Sequence, residues 1–166
     1  MFKEWFCPTI VFVVTTMYKG VTNGAPITWV TPVSYDPLSL MISVKQESDT
    51  AKNILDNGKF MLQTVPPYVF QEVHNMAAPY PRTISEPVDQ GLEIVKENVL
   101  SVPRLSIAVD FFECFTDRIM ETGDHYQIFA DIRSYSCSPV RTAKLMVIKD
   151  LVYTDGQGTL FKAKPY

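Results

Sequence analysis

Apolar positions along this chain come in short, β-branched runs set off by Gly, Pro and Asp. "TIVFVVTTM" (Thr9 to Met17) is β-branched or apolar throughout, the pattern of a strand covered on both faces. "YKG" turns the chain, and "VTNGAPITWVTPVS" is expected to carry it back as a second strand. Pro26 makes the start of that strand an edge or a bulge, because proline gives the ladder no N–H. After a turn at Tyr35-Asp36-Pro37, Leu38 to Val44 alternates apolar and hydroxyl residues as a half-buried strand does.

Two stretches change to helical spacing. Ser48 or Asp49 can cap "TAKNILDN", Ile54 and Leu55 give it an apolar stripe, and Gly58 suits its C-terminal cap. Lys59 to Val65 is again a strand, ended by Pro66-Pro67. A second helix is expected over "YVFQEVHNMAA", stopped by Pro79 and Pro81. Residues 79 to 104 carry Pro, Glu, Ser and Asp with weak periodicity and read as an excursion with little regular structure. Strands resume in "LSIAVDFFECFTDRIME", a "TGDH" turn and "YQIFADIRSYSC", then "KLMVIKDLVYT" and "TLFKAKPY" about the turn residues "DGQG". The expectation is a mainly β chain, a closed or half-closed barrel of antiparallel strands with a few short helices. It is taken as a single domain over 1–166, with its irregular part at about 66–104.

Composition narrows the function. At 46% hydrophobic residues the chain can bury a core without disulfides or metals. A formal charge of −3 and the lack of a dense Lys/Arg cluster exclude a nucleic-acid binder. Cys7, Cys114 and Cys137 are far apart and form no C-x-x-C pair, so they read as buried free thiols in a reducing compartment. The apolar run Ile10 to Val14 is too short to span a bilayer, and Glu4 and Pro8 spoil it as a signal peptide. A cytoplasmic protein is therefore expected. G-x-G-x-x-G, G-x-x-x-x-G-K-[ST], H-E-x-x-H and nucleophile-elbow patterns are all missing, which removes the common nucleotide, metal and hydrolase chemistries.

The stretch "GAPITWVTPVSYDP" carries more hydroxyls beside a tryptophan than a core strand needs. Thr28 and Thr31 are followed by Ser43 on the next strand and then by the helix start "SDTAKN". A helix N-terminus with free N–H groups and the Thr50 hydroxyl could seat a phosphate, with Lys45 and Lys52 adding charge. Together these could hold a planar ring on a phosphorylated chain. Each piece also has a plain structural explanation: Trp29 as a core or interface aromatic, the threonines as β-formers, the lysines as surface charges. His125 in its turn can be simply solvated, His74 structural or exposed, and Glu113 hydrogen-bonded within its strand.

"VVTTMYKGVTNGAPITWVTPVSYDP" followed by "SDTAKNILDNGKFMLQTVP" resembles the flavin reductase-like, FMN-binding split-barrel family. The likeness lies in Thr15-Thr16, Gly20, Asn23, Ala25 to Trp29, Ser34 to Pro37, Thr50 with Asn53-Ile54, and Gly58 with Phe60. The downstream "ECFTDRI" and Gly123-Asp124-His125 extend it. The resemblance implies a split β-barrel homodimer holding FMN, or less often FAD, near the subunit interface. It points to Thr28, Trp29, Val30 and Thr31 beside the isoalloxazine and ribityl chain. Ser43, Val44, Lys45 and Thr50 fall toward the phosphate, where Lys52 could add charge, and His125 near the flavin and nicotinamide. Ser48 stands where many relatives carry Arg or Lys, and Gln63 where Asn is common. The activity implied is hydride transfer from NADH or NADPH to flavin. The rival is a flavoredoxin-like electron carrier that exchanges electrons with a redox protein partner.

Overall fold

A computed structural model describes residues 5–77, 91–95, 99–138, 142–149 and 151–165. The chain runs through β1 (Thr9–Ile10), β2 (Phe12–Tyr18), β3 (Val21–Ile27), β4 (Val30–Tyr35) and β5 (Leu38–Lys45). Helix α1 (Asp49–Asn57), β6 (Lys59–Thr64), a 3₁₀ turn (Pro67–Val69) and helix α2 (Phe70–Met76) follow. Next come β7 (Ile94–Val95), β8 (Arg104–Leu105), β9 (Asp110–Thr122) and β10 (His125–Ser136). The described chain ends with β11 (Met146–Lys149), β12 (Val152–Thr154) and β13 (Leu160–Lys162).

Seven strands form one antiparallel sheet in the order β3-β2-β6-β9-β10-β5-β4. Its two edge strands are consecutive in sequence, joined only by Thr28 and Trp29. Strands ~4.8 Å apart would hold the edges of a flat seven-stranded sheet roughly 29 Å apart. The three Cα steps from Ile27 to Val30 reach at most about 11 Å. The sheet must therefore curl until its edges approach each other at that link. The result is a split barrel of antiparallel strands with, among the described residues, two short α-helices.

This link corrects one expectation. "VTNGAPITWVTPVS" is two strands at opposite edges of the sheet, because Pro26 in β3 and Pro32 in β4 each suit only an edge. "TIVFVVTTM" also divides. β1 pairs with β11 in a four-stranded sheet, β1-β11-β12-β13, the Val11 N–H bonds to the Leu145 carbonyl at 2.9 Å, and β2 enters the barrel. The expected double burial does hold for β2. Val13 packs with Val69, Val73, Leu105 and Tyr153 in one core, and Val14 with Ile42, Ile54, Phe60 and Ile128 in the other. "KLMVIKDLVYT" divides as well, into β11 and β12, which pair with each other.

The first helix forms where its signals lie. Ser48 Oγ accepts from the Ala51 N–H at 3.1 Å, and Gly58 closes the other end in the left-handed region, φ 68°. Three side-chain bonds then bracket α1 to the β2–β3 hairpin. Thr50 Oγ1 donates to Asn23 Oδ1 (3.2 Å), Asn53 Nδ2 to Thr16 Oγ1 (2.9 Å) and Asn57 Nδ2 to the Met17 carbonyl (2.6 Å).

Residues 78–90, with the expected stops at Pro79 and Pro81, and 96–98 lie outside the described residues. The described remainder of the excursion is tied to the barrel by buried polar groups. Gln63 donates to Thr15 Oγ1 (3.0 Å) and accepts from the Leu105 N–H (2.9 Å), and Thr15 in turn donates to the Pro103 carbonyl. Glu113 accepts from the Val99 and Leu100 N–H groups at 3.3 and 2.8 Å, which answers for a carboxylate in that strand. Asp110 accepts from Thr64, the Ser138 N–H and Lys144. Burial opposes its ionisation, yet these bonds, the Lys144 contact foremost, hold its carboxyl below the usual range. Of the cysteines, Cys114 is buried as expected and its thiol is pushed far up by burial; Cys137 is exposed, contrary to expectation, because it follows the end of β10. No helix among the described residues is long and apolar enough to cross a membrane.

Candidate functional site

Alternation along β5 decides which predicted residues share a face. Leu40, Ile42 and Val44 point into the barrel core, and Met41, Ser43 and Lys45 point outward. Register extends each outward position across the sheet. Met41 lies between Thr31 and Phe129, Ser43 beside Gln127, and Lys45 beside His125. Trp29 joins this surface at the sheet's split edge. Its carbonyl accepts the Ser43 N–H at 3.0 Å, and its indole lies 5.0 Å, centroid to centroid, from the His125 ring, tilted by 41°. The candidate site is thus an outer face at one end of β4, β5 and β10, not the barrel interior.

The His125 end is shaped by a two-residue hairpin. Thr122 and His125 face each other across Gly123-Asp124, with Gly123 at φ 61°, a backbone that a side chain would strain. The Asp124 carboxylate turns back to His125, Oδ1 2.6 Å from Nδ1, and its carbonyl takes the Gln46 N–H at 3.0 Å. The hydrogen bond from His125 holds the Asp124 carboxyl below the usual range. Gln127 Nε2 donates to Ser43 Oγ at 3.1 Å, so the buried Ser43 hydroxyl keeps its own proton for another acceptor.

The structure therefore gathers Trp29, Thr31, Ser43, Lys45 and His125 on one surface, with Thr28 at its margin. Val30 and Val44 turn their side chains into the core, so only their backbone could meet a ligand. Lys45 and Lys52 each stand beside a carboxylate, Glu47 at 3.7 Å and Asp49 at 3.3 Å. Thr50 is buried and its proton is committed to Asn23. Ser48, whose backbone N–H and hydroxyl both donate to the Lys45 carbonyl, sets α1 directly after β5; its cap takes the Ala51 amide, leaving those of Asp49 and Thr50 for other acceptors. Gln127 and Asn23 were missed as partners, because both act through contacts 84 and 27 residues away in sequence.

A separate groove of about 490 Å³ opens at the other end of α1, lined by Met17, Lys19, Asp56, Lys59 and Ser101 among others. None of the predicted site residues lines it.

Comparison with other proteins places this chain in a family. YwrF of Bacillus subtilis strain 168 is 33% identical over 113 residues, 66% of this chain and 55% of that protein. A protein of Aquifex aeolicus strain VF5 is 30% identical over 124 residues, 71% of this chain and 63% of its own length. The chain thus spans a little over half the length of these curated relatives. Among solved structures, the nitrilotriacetate monooxygenase component B of Bacillus cereus superposes with a TM-score of 0.77 at 22% identity, over 89% of this chain and 83% of that one. The Streptomyces globisporus NADH:FAD oxidoreductase SgcE6 gives 0.77 at 20%, over 99% and 92%. An FMN-binding protein from Thermus thermophilus gives 0.76 at 18%, over 95% and 87%. Identities this low carry the fold alone. The flavin reductase like domain matches residues 5–158, and the chain belongs to that family.

Proposed function

We propose that this chain is a flavin-dependent oxidoreductase of the cytoplasm that takes a hydride from NADH or NADPH. When bound, the flavin supplies the hydride-accepting chemistry at its N5. The observation that carries the reading is the convergence of Trp29, Ser43, Gln127, Lys45 and His125 on one outer face through cross-strand pairs. Their donor chemistry suits a planar ring edged with acceptor atoms and carrying a phosphorylated tail, FMN before FAD. The Ser43 hydroxyl and the Lys45 ammonium are donors, and so are the amides of Asp49 and Thr50 at a helix N-terminus. Thr28 to Thr31 would border the ring, where backbone N–H groups oppose charge that develops on it. His125 would meet the nicotinamide. The Thr50 hydroxyl would join the phosphate only by leaving Asn23, and Lys52 is the candidate that the geometry favours least.

The face is an open sheet surface, and β4 beside it exposes Val33 (46%) and Tyr35 (92%). A second copy of the chain covering that edge would complete the site as a homodimer. The same openness favours one other reading, an electron carrier that passes electrons to a protein partner. Titration of the purified protein with FMN, followed by anaerobic mixing with NADH and with NADPH, separates them. Bleaching of the bound flavin by either nucleotide is the expected result. A bound flavin that neither nucleotide bleaches leaves the carrier reading, and a protein that no flavin colours overturns both.

A further inference from the structure

Asp124 and His125 are adjacent in sequence, and successive side chains on a strand point to opposite faces. The Gly123-Asp124 turn breaks that alternation and folds the carboxylate onto the imidazole, Oδ1 2.6 Å from Nδ1. An ionised carboxylate only accepts, so Nδ1 donates and carries the proton. The surroundings hold the ring in that pose. Trp29 lies against it at 5.0 Å, the His125 backbone pairs with Lys45 and Thr122, and the Asp124 carbonyl is bonded to the Gln46 N–H. The imidazole side chain is 21% exposed, and with Nδ1 engaged, Nε2 is the nitrogen left for a ligand.

We propose that Asp124 is a positioning residue that fixes His125 as the Nδ1–H tautomer, so that Nε2 offers a lone pair and selects a ligand carrying an N–H donor. The inference rests on the flavin and nicotinamide reading above. Two groups in that reading carry such a donor, the carboxamide of a reduced nicotinamide and the imide N–H of the flavin ring. The opposite tautomer would set a donor against that N–H and turn the preference to a neighbouring carbonyl oxygen, which an analogue without the N–H offers equally well.

The test reads the tautomer first, with no ligand added. Long-range proton–nitrogen correlation on ¹⁵N-labelled protein at alkaline pH, with His125→Asn assigning the signal, is expected to show His125 protonated at Nδ1. Asp124→Ala shifts the balance toward Nε2–H by about fivefold, and Asp124→Asn, whose amide N–H can donate to Nδ1, shifts it the same way. An unchanged tautomer in Asp124→Ala overturns the proposal. The second arm compares reduced nicotinamide dinucleotide with its 3-acetylpyridine analogue, which lacks the N–H. The wild type is expected to prefer the amide, and Asp124→Ala to lose that preference with FMN affinity unchanged. If FMN affinity falls instead, the donor is the flavin imide. If neither moves, the selection role is wrong. A wild type that binds neither flavin nor nicotinamide sinks the functional reading, and the tautomer result then stands or falls by itself.

Discussion

Two polar clusters in this molecule look alike in composition and differ in how their hydrogen bonds close. Under the excursion, Gln63 and Glu113 are both almost fully buried, and each spends its polar atoms on partners within the chain. On the outer face, Ser43, Asp124 and His125 each bond to one neighbour and keep a further donor or acceptor in reserve. The first arrangement fixes backbone, since each of these polar atoms is buried and already bonded to the chain. The second can receive a ligand. Shape gives a different answer from chemistry here. The groove of about 490 Å³ lies at the end of α1 where Asn57 is already bonded to the Met17 carbonyl, away from the reserved valences.

The largest test of that contrast is Gln63→Leu. It removes an amide that bridges β2, β6 and the end of β8, leaving a buried Leu105 N–H without its acceptor. We expect a loss of about 1–3 kcal/mol, or roughly 3–10 °C in Tm at this chain length, measured by thermal denaturation. FMN affinity of the folded variant should be unchanged. A variant that keeps its Tm but loses flavin would place the closed cluster in the binding site and break the distinction.

How far the chain itself disclosed this arrangement depends on whether a feature is local. α1 was legible at both ends, because Ser48 and Gly58 act on amides and carbonyls a few residues away. The Gly123-Asp124 hairpin was legible for the same reason. The break at Thr28-Trp29 was not, since the hydroxyl-and-apolar run continues through it. What divides the run is a partner exchange, from β2 at one edge to β5 at the other. The same limit shaped the reading of Thr50 and Asn53. Three residues apart, they lie on one side of a helix, and that spacing suits a phosphate seat or a bracket to a neighbouring hairpin equally well. In the structure both side chains face Asn23 and Thr16. Gln63 looked like a departure from the family pattern, and its burial against Leu105 gives that position a structural task.

A smaller effect of opposite kind is expected for Ser43→Ala on the outer face. The Gln127 amide loses its acceptor but is half-buried and can turn to water, so stability should move by less than about 0.5 kcal/mol. The hydroxyl proton kept in reserve is gone, and FMN should bind about 5–10-fold more weakly, the worth of one hydrogen bond to a ligand. Fluorescence titration checks the affinity and thermal denaturation the fold. Unchanged affinity would move the ligand off this row of the sheet.

Lys52→Ala should do least of all. Its side chain is 61% exposed and its ammonium lies 3.3 Å from Asp49 on the same helix, so much of its field is cancelled where it arises and the rest is screened by salt. Lys45, in contrast, stands in the row of His125 at the end of β5. If the phosphate is met by that strand end and the first-turn amides, removing Lys52 changes FMN affinity less than about twofold at 0.15 M salt. Repeating the titration at low salt sharpens the test, because a long-range contribution from Lys52 would grow there and a purely local site would not respond. A tenfold loss at either salt would shift the phosphate seat from the strand end to the helix flank, and the outer-face site would then have to be redrawn around α1.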